Sequence, residues 1–222
     1  MFDPIRMDAA RRAVARDEER TRLANLVGPT ALAADQLLPV LPPLARLLPH
    51  GGLRRGTVVT IDGSLRLALA LAASVTQADR WAAAVGIPEL GVVAAAEIGV
   101  VLRRFPLVPD PDRRWAQVVA ALLHAVDLVV ARVPATGSPA SCRQLATRVR
   151  ERGSVLLALG AWPAPDLVLS VSGETWTGLE AGAGRLTQRR VRVVATGRGA
   201  AALPREAWLW LPFRDGTVQP AD

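Results

Sequence analysis

Lysine is absent from this chain, cysteine occurs once, and no apolar run is long and uninterrupted enough to span a bilayer. Without lysine all 27 basic residues are arginine, so the lysine that completes a phosphate-binding P-loop has no candidate. The single cysteine, Cys142, excludes an internal disulfide framework and a cysteine-based zinc site. With Leu145, Ala146 and Val149 it falls at i, i+3, i+4 and i+7 of a helix, the spacing of a buried core thiol. His50 and His124 are the only histidines. One sits in a Pro/Gly turn and the other follows Leu123 on an expected helix, so a metal site or a Ser-His-Asp triad lacks material. The polar start MFDPIRMDAARR is not a signal sequence, and the expectation is a soluble, cytoplasmic protein. Neither an internal repeat nor a low-complexity linker is present.

What the chain does contain is arginine and alternating secondary structure. The formal charge is +7 over 222 residues. Arginine's planar fork suits phosphates and carboxylates, which invites a nucleic-acid reading; arginine with abundant alanine is also what a GC-rich coding bias produces. The length suits one domain with appendages.

Residues 8–27 carry charges of both signs and a thin apolar stripe through Ala13, Leu23 and Leu26, a weakly core-directed helix that Gly28-Pro29 ends. Pro39, Pro42, Pro43 and Pro49 among leucines predict short helical pieces packed on a core. Thr57–Ile61 is a β-branched strand between Gly56 and Asp62-Gly63, and Ser64 opens a helix to Gln77 that is apolar nearly all round. Strands follow at Trp81–Ile87, Leu102–Val108, Asp127–Val133 and Ser154–Leu159. Helices alternate with them at Glu89–Gly99, at 115–126 and at Ser141–Arg152. Pro106 demotes the strand Leu102–Val108 to a sheet edge. The alternation predicts an α/β fold with a largely parallel sheet and helices on both faces. Asp166–Val171, Arg189–Ala195 and Trp208–Leu211 are strands joined by Gly/Thr-rich turns, an antiparallel extension. Three parts result: an N-terminal helical arm over 1–50, a core over 51–165, and C-terminal strands over 166–222 that continue the same domain.

GGLRRGTVVTIDG followed by a helix, then EIGVVLRRFPLVPDPDRRW and the strand DLVVARV, resembles the core of RecA. More narrowly, VGIPELG with AAAEIGV (85–100), LVPDPDRRW (107–115), ETWTGLEAGAGRL (174–186), TGRGAAALPR (196–205) and LWLP (209–212) resemble the RecA-like accessory proteins of bacterial mutagenic repair cassettes, the ImuA group and its actinobacterial form ImuA′. The resemblance covers about 57–212. It implies a RecA-like core with a degenerate P-loop at Asp62, Gly63 and Ser64, where neither the lysine nor the Lys-Ser/Thr pair has a counterpart. The position of the magnesium-supporting aspartate falls on Arg132, and Glu89 lies within about two residues of the catalytic glutamate's place, as an isolated, solvated carboxylate. The expectation is a pseudo-ATPase, not an enzyme, with no cofactor and no metal.

Function follows from the resemblance as a non-catalytic adaptor in damage-induced mutagenesis and translesion synthesis. It would join ImuB, a polymerase-like protein, to an error-prone replicative-type polymerase, in the cytoplasm and at the nucleoid. RecA subunits associate when an N-terminal segment of one extends the sheet of the next at an exposed edge. The corresponding edge here places Leu102, Phe105 and Leu107 on or beside a contact with ImuB, with Arg103 and Arg104 either pairing with acids of the partner or, as charges on an exposed edge, discouraging aggregation. Two rivals stand beside the adaptor. One is a nucleic-acid-binding module using Arg185, Arg189, Arg190, Arg192 and Arg198, with Trp176, Trp208 and Trp210 either packing across strands or stacking on bases. The other is an NTPase with an atypical loop. Asp110 and Asp112, flanking Pro111, are expected to cap the helix after them.

Overall fold

Nine strands of one sheet run in the order β11-β10-β9-β8-β3-β7-β6-β4-β5 in the computed structural model, which describes residues 36–180 and 183–221. The strands are β3 Val58–Asp62, β4 Ala82–Val85, β5 Leu107–Val108, β6 Leu128–Arg132, β7 Val155–Leu159, β8 Leu167–Glu180, β9 Ala183–Gly197, β10 Arg205–Trp210 and β11 Gln219–Pro220. A separate two-stranded ribbon pairs β1 Leu37–Leu38 with β2 Leu53–Arg54. From β5 through β8 all pairings are parallel; β8 with β9, β9 with β10 and β10 with β11 are antiparallel. The protein is therefore a mixed α/β fold, mostly parallel, with an antiparallel C-terminal extension. The expected arm helix over 8–27 lies outside the described residues.

Among the described residues five helices join the strands: α1 Pro42–Ala45, α2 Leu65–Gln77, α3 Val92–Glu97, α4 Trp115–Ala125 and α5 Pro139–Arg152. The side-chain alternation along each strand divides the core into two layers. Ile61, Val130, Leu157 and Leu169 face α2 on one side, together with Leu38, Leu44, Leu47 and Leu48 from the proline-rich stretch. Val58, Val129, Leu156 and Ala158 face α4 and α5 on the other, against Trp115, Val119, Leu123, Cys142, Leu145 and Val149. Helix α2 is buried at every residue from Leu67 to Thr76, which is why its sequence is apolar all round rather than striped. Helix α5 starts at Ser138, whose hydroxyl accepts the Ser141 N–H, and stops at Gly153 with φ of +65°. Asp127, one residue before β6, takes a guanidinium hydrogen bond from Arg55 at 2.6 Å and another from Arg80 at 3.2 Å. These tie the N-terminal ends of the parallel strands together.

Three expected elements come out differently. The run Leu102–Val108 is not one strand: Leu102–Arg104 form a 3-10 turn, closed by Phe105 N–H to Leu102 C=O, and only Leu107–Val108 pair with β4. Phe105 is 3 % exposed and turns into the core, so the chain must bend to bury it, and Pro106 has no N–H with which to extend a ladder. Among the described residues the edge position does hold, because β5 ends the sheet and pairs only with β4. The helix expected from Glu89 begins at Val92, since Pro88 is followed by a turn in which Leu90 N–H reaches Ile87 C=O. In the C-terminal third, β8 and β9 are 14 and 15 residues long and form one extended hairpin.

Candidate functional site

The parallel strands deliver their C-terminal ends to one rim of the sheet, where ligands of open α/β sheets bind. At that rim β3 passes to α2 through Gly63 and Ser64 alone. Gly63 has φ of +82°, and a Cβ there would stand 2.9 Å from the Val171 carbonyl oxygen, so only glycine fits this turn. The Ser64 hydroxyl accepts the Leu67 N–H at 3.2 Å and so uses one of the free donors of the helix N-terminus within the chain itself. Asp62 is exposed beside it.

Between β4 and β6 the chain departs in opposite directions. After β4 it enters α3, whose Ala95 lies in the α2-side layer; after β6 it enters α5, in the other layer. Such a reversal opens a crevice between neighbouring strands. Arg132, the last residue of β6, donates from its guanidinium to the carboxylate of Glu89, which follows β4, and bridges that crevice. Glu89 is therefore not the isolated carboxylate that the sequence suggests. Beside the pair is a cavity of about 340 Å³ walled by Gly86, Pro88, Asp110, Asp112, Trp115 and Arg132. Trp115 is 4 % exposed and its indole N–H has no partner among the described residues. Asp110 closes the local turn by accepting the Asp112 N–H at 3.2 Å, but neither the 3-10 turn Asp112–Arg114 nor α4 has a side-chain cap, so the two aspartates do not cap the helix as expected.

At the β5 edge the five expected contact residues divide. Leu102 and Arg103 are exposed and Leu107 is half-buried. Arg104 is held against its own chain, with an ion pair to Asp79 at 2.8 Å. Phe105 belongs to the core, and the expectation that it touches a partner is corrected by that burial.

The arginines of the C-terminal strands do not form one patch. Arg189 shares a face of β9 with core residues Val191 and Val193, pairs with Glu174, and stands 5.8 Å from the ring centroid of Trp176. Arg190 and Arg192 alternate onto the opposite face. Arg190 stacks 4.4 Å from the ring centroid of Trp208 and donates to the Ala221 carbonyl at 2.9 Å; Arg192 pairs with Glu206. Arg198 is exposed and donates to the Ala164 carbonyl at 2.6 Å. The side chain of Arg185 lies outside the described residues. Trp210 meets Phe213 edge-on at 6.2 Å, a packing role. Among the described residues no group of three or more His, Cys, Asp or Glu could hold a metal ion, and no helix is long and apolar enough to cross a membrane.

A family model described as the MT3502 N-terminal domain matches residues 46–164 of this chain. The chain belongs to that family. The uncharacterized protein Rv3395c of Mycobacterium tuberculosis is 38 % identical over 120 residues, which cover 52 % of this chain and 59 % of that protein. The chain thus spans little more than half the length of the curated relative it matches. Within the MT3502 N-terminal domain fall the Gly63-Ser64 turn, the Arg132–Glu89 pair and the β5 edge; β8 to β11 lie beyond the matched span. Sequence reasoning missed two groups: Trp115, read only as an apolar helix position, and Arg66, hidden in the apolar run of α2. The signal for Trp115 was a polar atom on a face that the 3.6-residue period assigns to the interior, and for Arg66 a charge inside a run that is otherwise apolar.

Proposed function

We propose that this MT3502 N-terminal domain protein is a non-catalytic, RecA-like adaptor of the ImuA type, which binds the polymerase-like protein ImuB and helps assemble an error-prone polymerase complex during damage-induced synthesis. The observation that carries the reading is the Arg132–Glu89 pair. At the strand ends where a RecA-type ATPase holds magnesium and positions the attacking water, this chain has a cation satisfied by its own carboxylate. The two-residue turn at Gly63-Ser64 supports it, since so short a connection, capped by its own serine, offers no backbone cradle for a triphosphate. The adaptor works in the cytoplasm at the nucleoid, with no cofactor, and meets DNA through its partners.

The partner surface of this reading is the β5 edge, now confined to Leu102, Arg103, Leu107 and the open side of β5. A segment of ImuB would add main-chain hydrogen bonds there while an apolar side chain rests on Leu102. The rival nucleic-acid module is less well supported, because the described arginines at 189–198 are split over two faces and each has a partner within the chain. Co-purification with ImuB tests the proposal: retention by wild type and loss in Leu102→Glu is expected, and failure of the folded wild-type protein to retain ImuB would end it.

A further inference from the structure

The parallel register brings the starts of β8, β3, β7, β6 and β4 to one rim of the sheet, opposite the Gly63-Ser64 turn. Five neighbouring strands span roughly 19 Å. Arg54 and Arg55 precede β3, Arg80 precedes β4, and Arg150 and Arg152 end α5, so arginines from three parts of the chain meet here. The turn before β3 seats them together. Arg55 Nη1 donates to the Gly153 carbonyl at 3.0 Å and the Gly56 N–H to the Ser154 carbonyl at 2.8 Å, while a Cβ on Gly56 would stand 3.5 Å from the Arg150 Cα.

The carboxylates at this rim are already taken. Asp127 serves both Arg55 and Arg80, Asp79 pairs with Arg104, and Asp166 accepts the Val58 N–H at 2.9 Å and lies 3.7 Å from Arg198. Arg54, Arg150 and Arg152 are exposed and have no ion pair among the described residues, and Glu151 is the one acid on α5. Positive charge is left over. Trp81 stands in the same rim, 47 % exposed, with its N–H donating to the Asp127 carboxylate at 3.4 Å and its carbonyl accepting the Asp127 N–H at 3.0 Å. Trp176 and Trp208 each have an arginine of the chain over the ring, whereas Trp81 has none among the described residues. Its backbone is fixed and its ring is open.

We infer that this rim binds single-stranded nucleic acid, with phosphates along Arg54, Arg80, Arg150 and Arg152 and a base stacked on Trp81. Charge complementarity selects a polyanion, and the open ring selects a single strand, because a duplex keeps its base faces stacked on one another. A lipid surface would require an apolar face around the tryptophan, and the apolar sides of α4 and α5 are turned into the sheet. Backbone charge and base stacking are common to DNA and RNA, so the class includes both. The rim adds a direct contact to the one made through partners, and it uses none of the arginines of β9.

The full chain is titrated with labelled oligothymidylate and oligouridylate, followed by anisotropy between about 50 and 200 mM salt. Saturable binding of either supports the inference, and the tighter of the two names the source. Four phosphate contacts give a slope of log affinity against log salt of about −3, which Arg150→Gln with Arg152→Gln should roughly halve. Trp81→Ala should weaken binding at least about fivefold and leave the slope unchanged. Arg113→Gln with Arg114→Gln removes the same charge at the opposite rim and should bind like wild type. No saturable binding, equal losses in the two arginine pairs, wild-type affinity in Trp81→Ala, or capture by phosphatidylserine vesicles in place of the oligonucleotides would overturn it. If Trp81→Ala loses its cooperative thermal transition, Trp81→Phe decides by emission. Oligothymidylate should quench wild-type tryptophan fluorescence and not that of this variant, and equal quenching of both would equally overturn the site.

Discussion

The guanidinium of Arg132 donates to the carboxylate of Glu89 across the ends of β6 and β4, joining residues 43 apart in sequence. Both side chains are about half exposed, 45 % and 55 %, so the pair contributes little to stability, roughly 0–1 kcal/mol. On the proposed reading its consequence is chemical: the strand end that carries a metal ligand in a RecA-type ATPase carries a fixed positive charge here.

Wild type and Arg132→Asp should both fail to bind ATP with magnesium in calorimetry at micromolar protein, because reversing one charge does not create a phosphate cradle between Gly63 and Ser64. Glu89→Gln should shift the thermal transition only slightly. Saturable ATP binding by wild type would favour the NTPase reading instead.

Phe105 and Leu102 separate packing from contact. Phe105→Ala removes a buried ring and should destabilise the protein by about 3–5 kcal/mol, measured by chemical denaturation. Leu102→Glu should change stability by less than about 0.5 kcal/mol while removing ImuB from a pull-down. The reverse order of effects would place the edge contact elsewhere.

The stack of Arg190 on Trp208 ties β9 to β10, and the hydrogen bonds of Arg190 to Ala221 hold the end of the chain beside β11. Arg190→Ala should cost about 1–2 kcal/mol and shift tryptophan emission. On the adaptor reading, charge-swapping Arg189, Arg190 and Arg192 should leave single-stranded DNA binding unchanged. A steep salt dependence that disappears in the triple variant would instead support the nucleic-acid module.

Burial raises the Cys142 thiol, with Arg143 acting weakly the other way. The unfolded thiol therefore releases its proton first. Below about pH 8.5 this group leaves stability unchanged, and above it stability falls as the pH rises through the raised folded value. Cys142→Ala should flatten that alkaline loss in pH-dependent denaturation, and alkylation of the wild-type thiol should track global unfolding rather than local exposure.

Short-range physics explains what could be read in advance. The period of apolar residues along α4 and α5, the β-branched run at β3, and the strand-helix alternation from 57 to 159 follow from local burial. They determined a parallel sheet covered on both faces. Pro106 marked the edge for the same reason, since a missing N–H is a property of one residue. The length of the Gly63-Ser64 turn was equally legible, because it depends only on how few residues separate a strand from a helix.

Tertiary structure alone decided which charges meet. Arg132 and Glu89 are brought together by β4 and β6 lying side by side although β5 and α4 intervene in sequence, and no local pattern encodes that adjacency. The arginines of β9 read as one basic run, yet the period of two along a strand sends Arg189 to one face and Arg190 and Arg192 to the other, each to a different acid or aromatic. Phe105 was expected at the contact because Leu102–Val108 reads as one edge strand, and the bend before Pro106 turned it inward. Arg66 was inconspicuous in an apolar helix, and only the convergence of α2, the β8–β9 hairpin and the loop after β10 placed it in the wall of a cavity with its Nη1 enclosed.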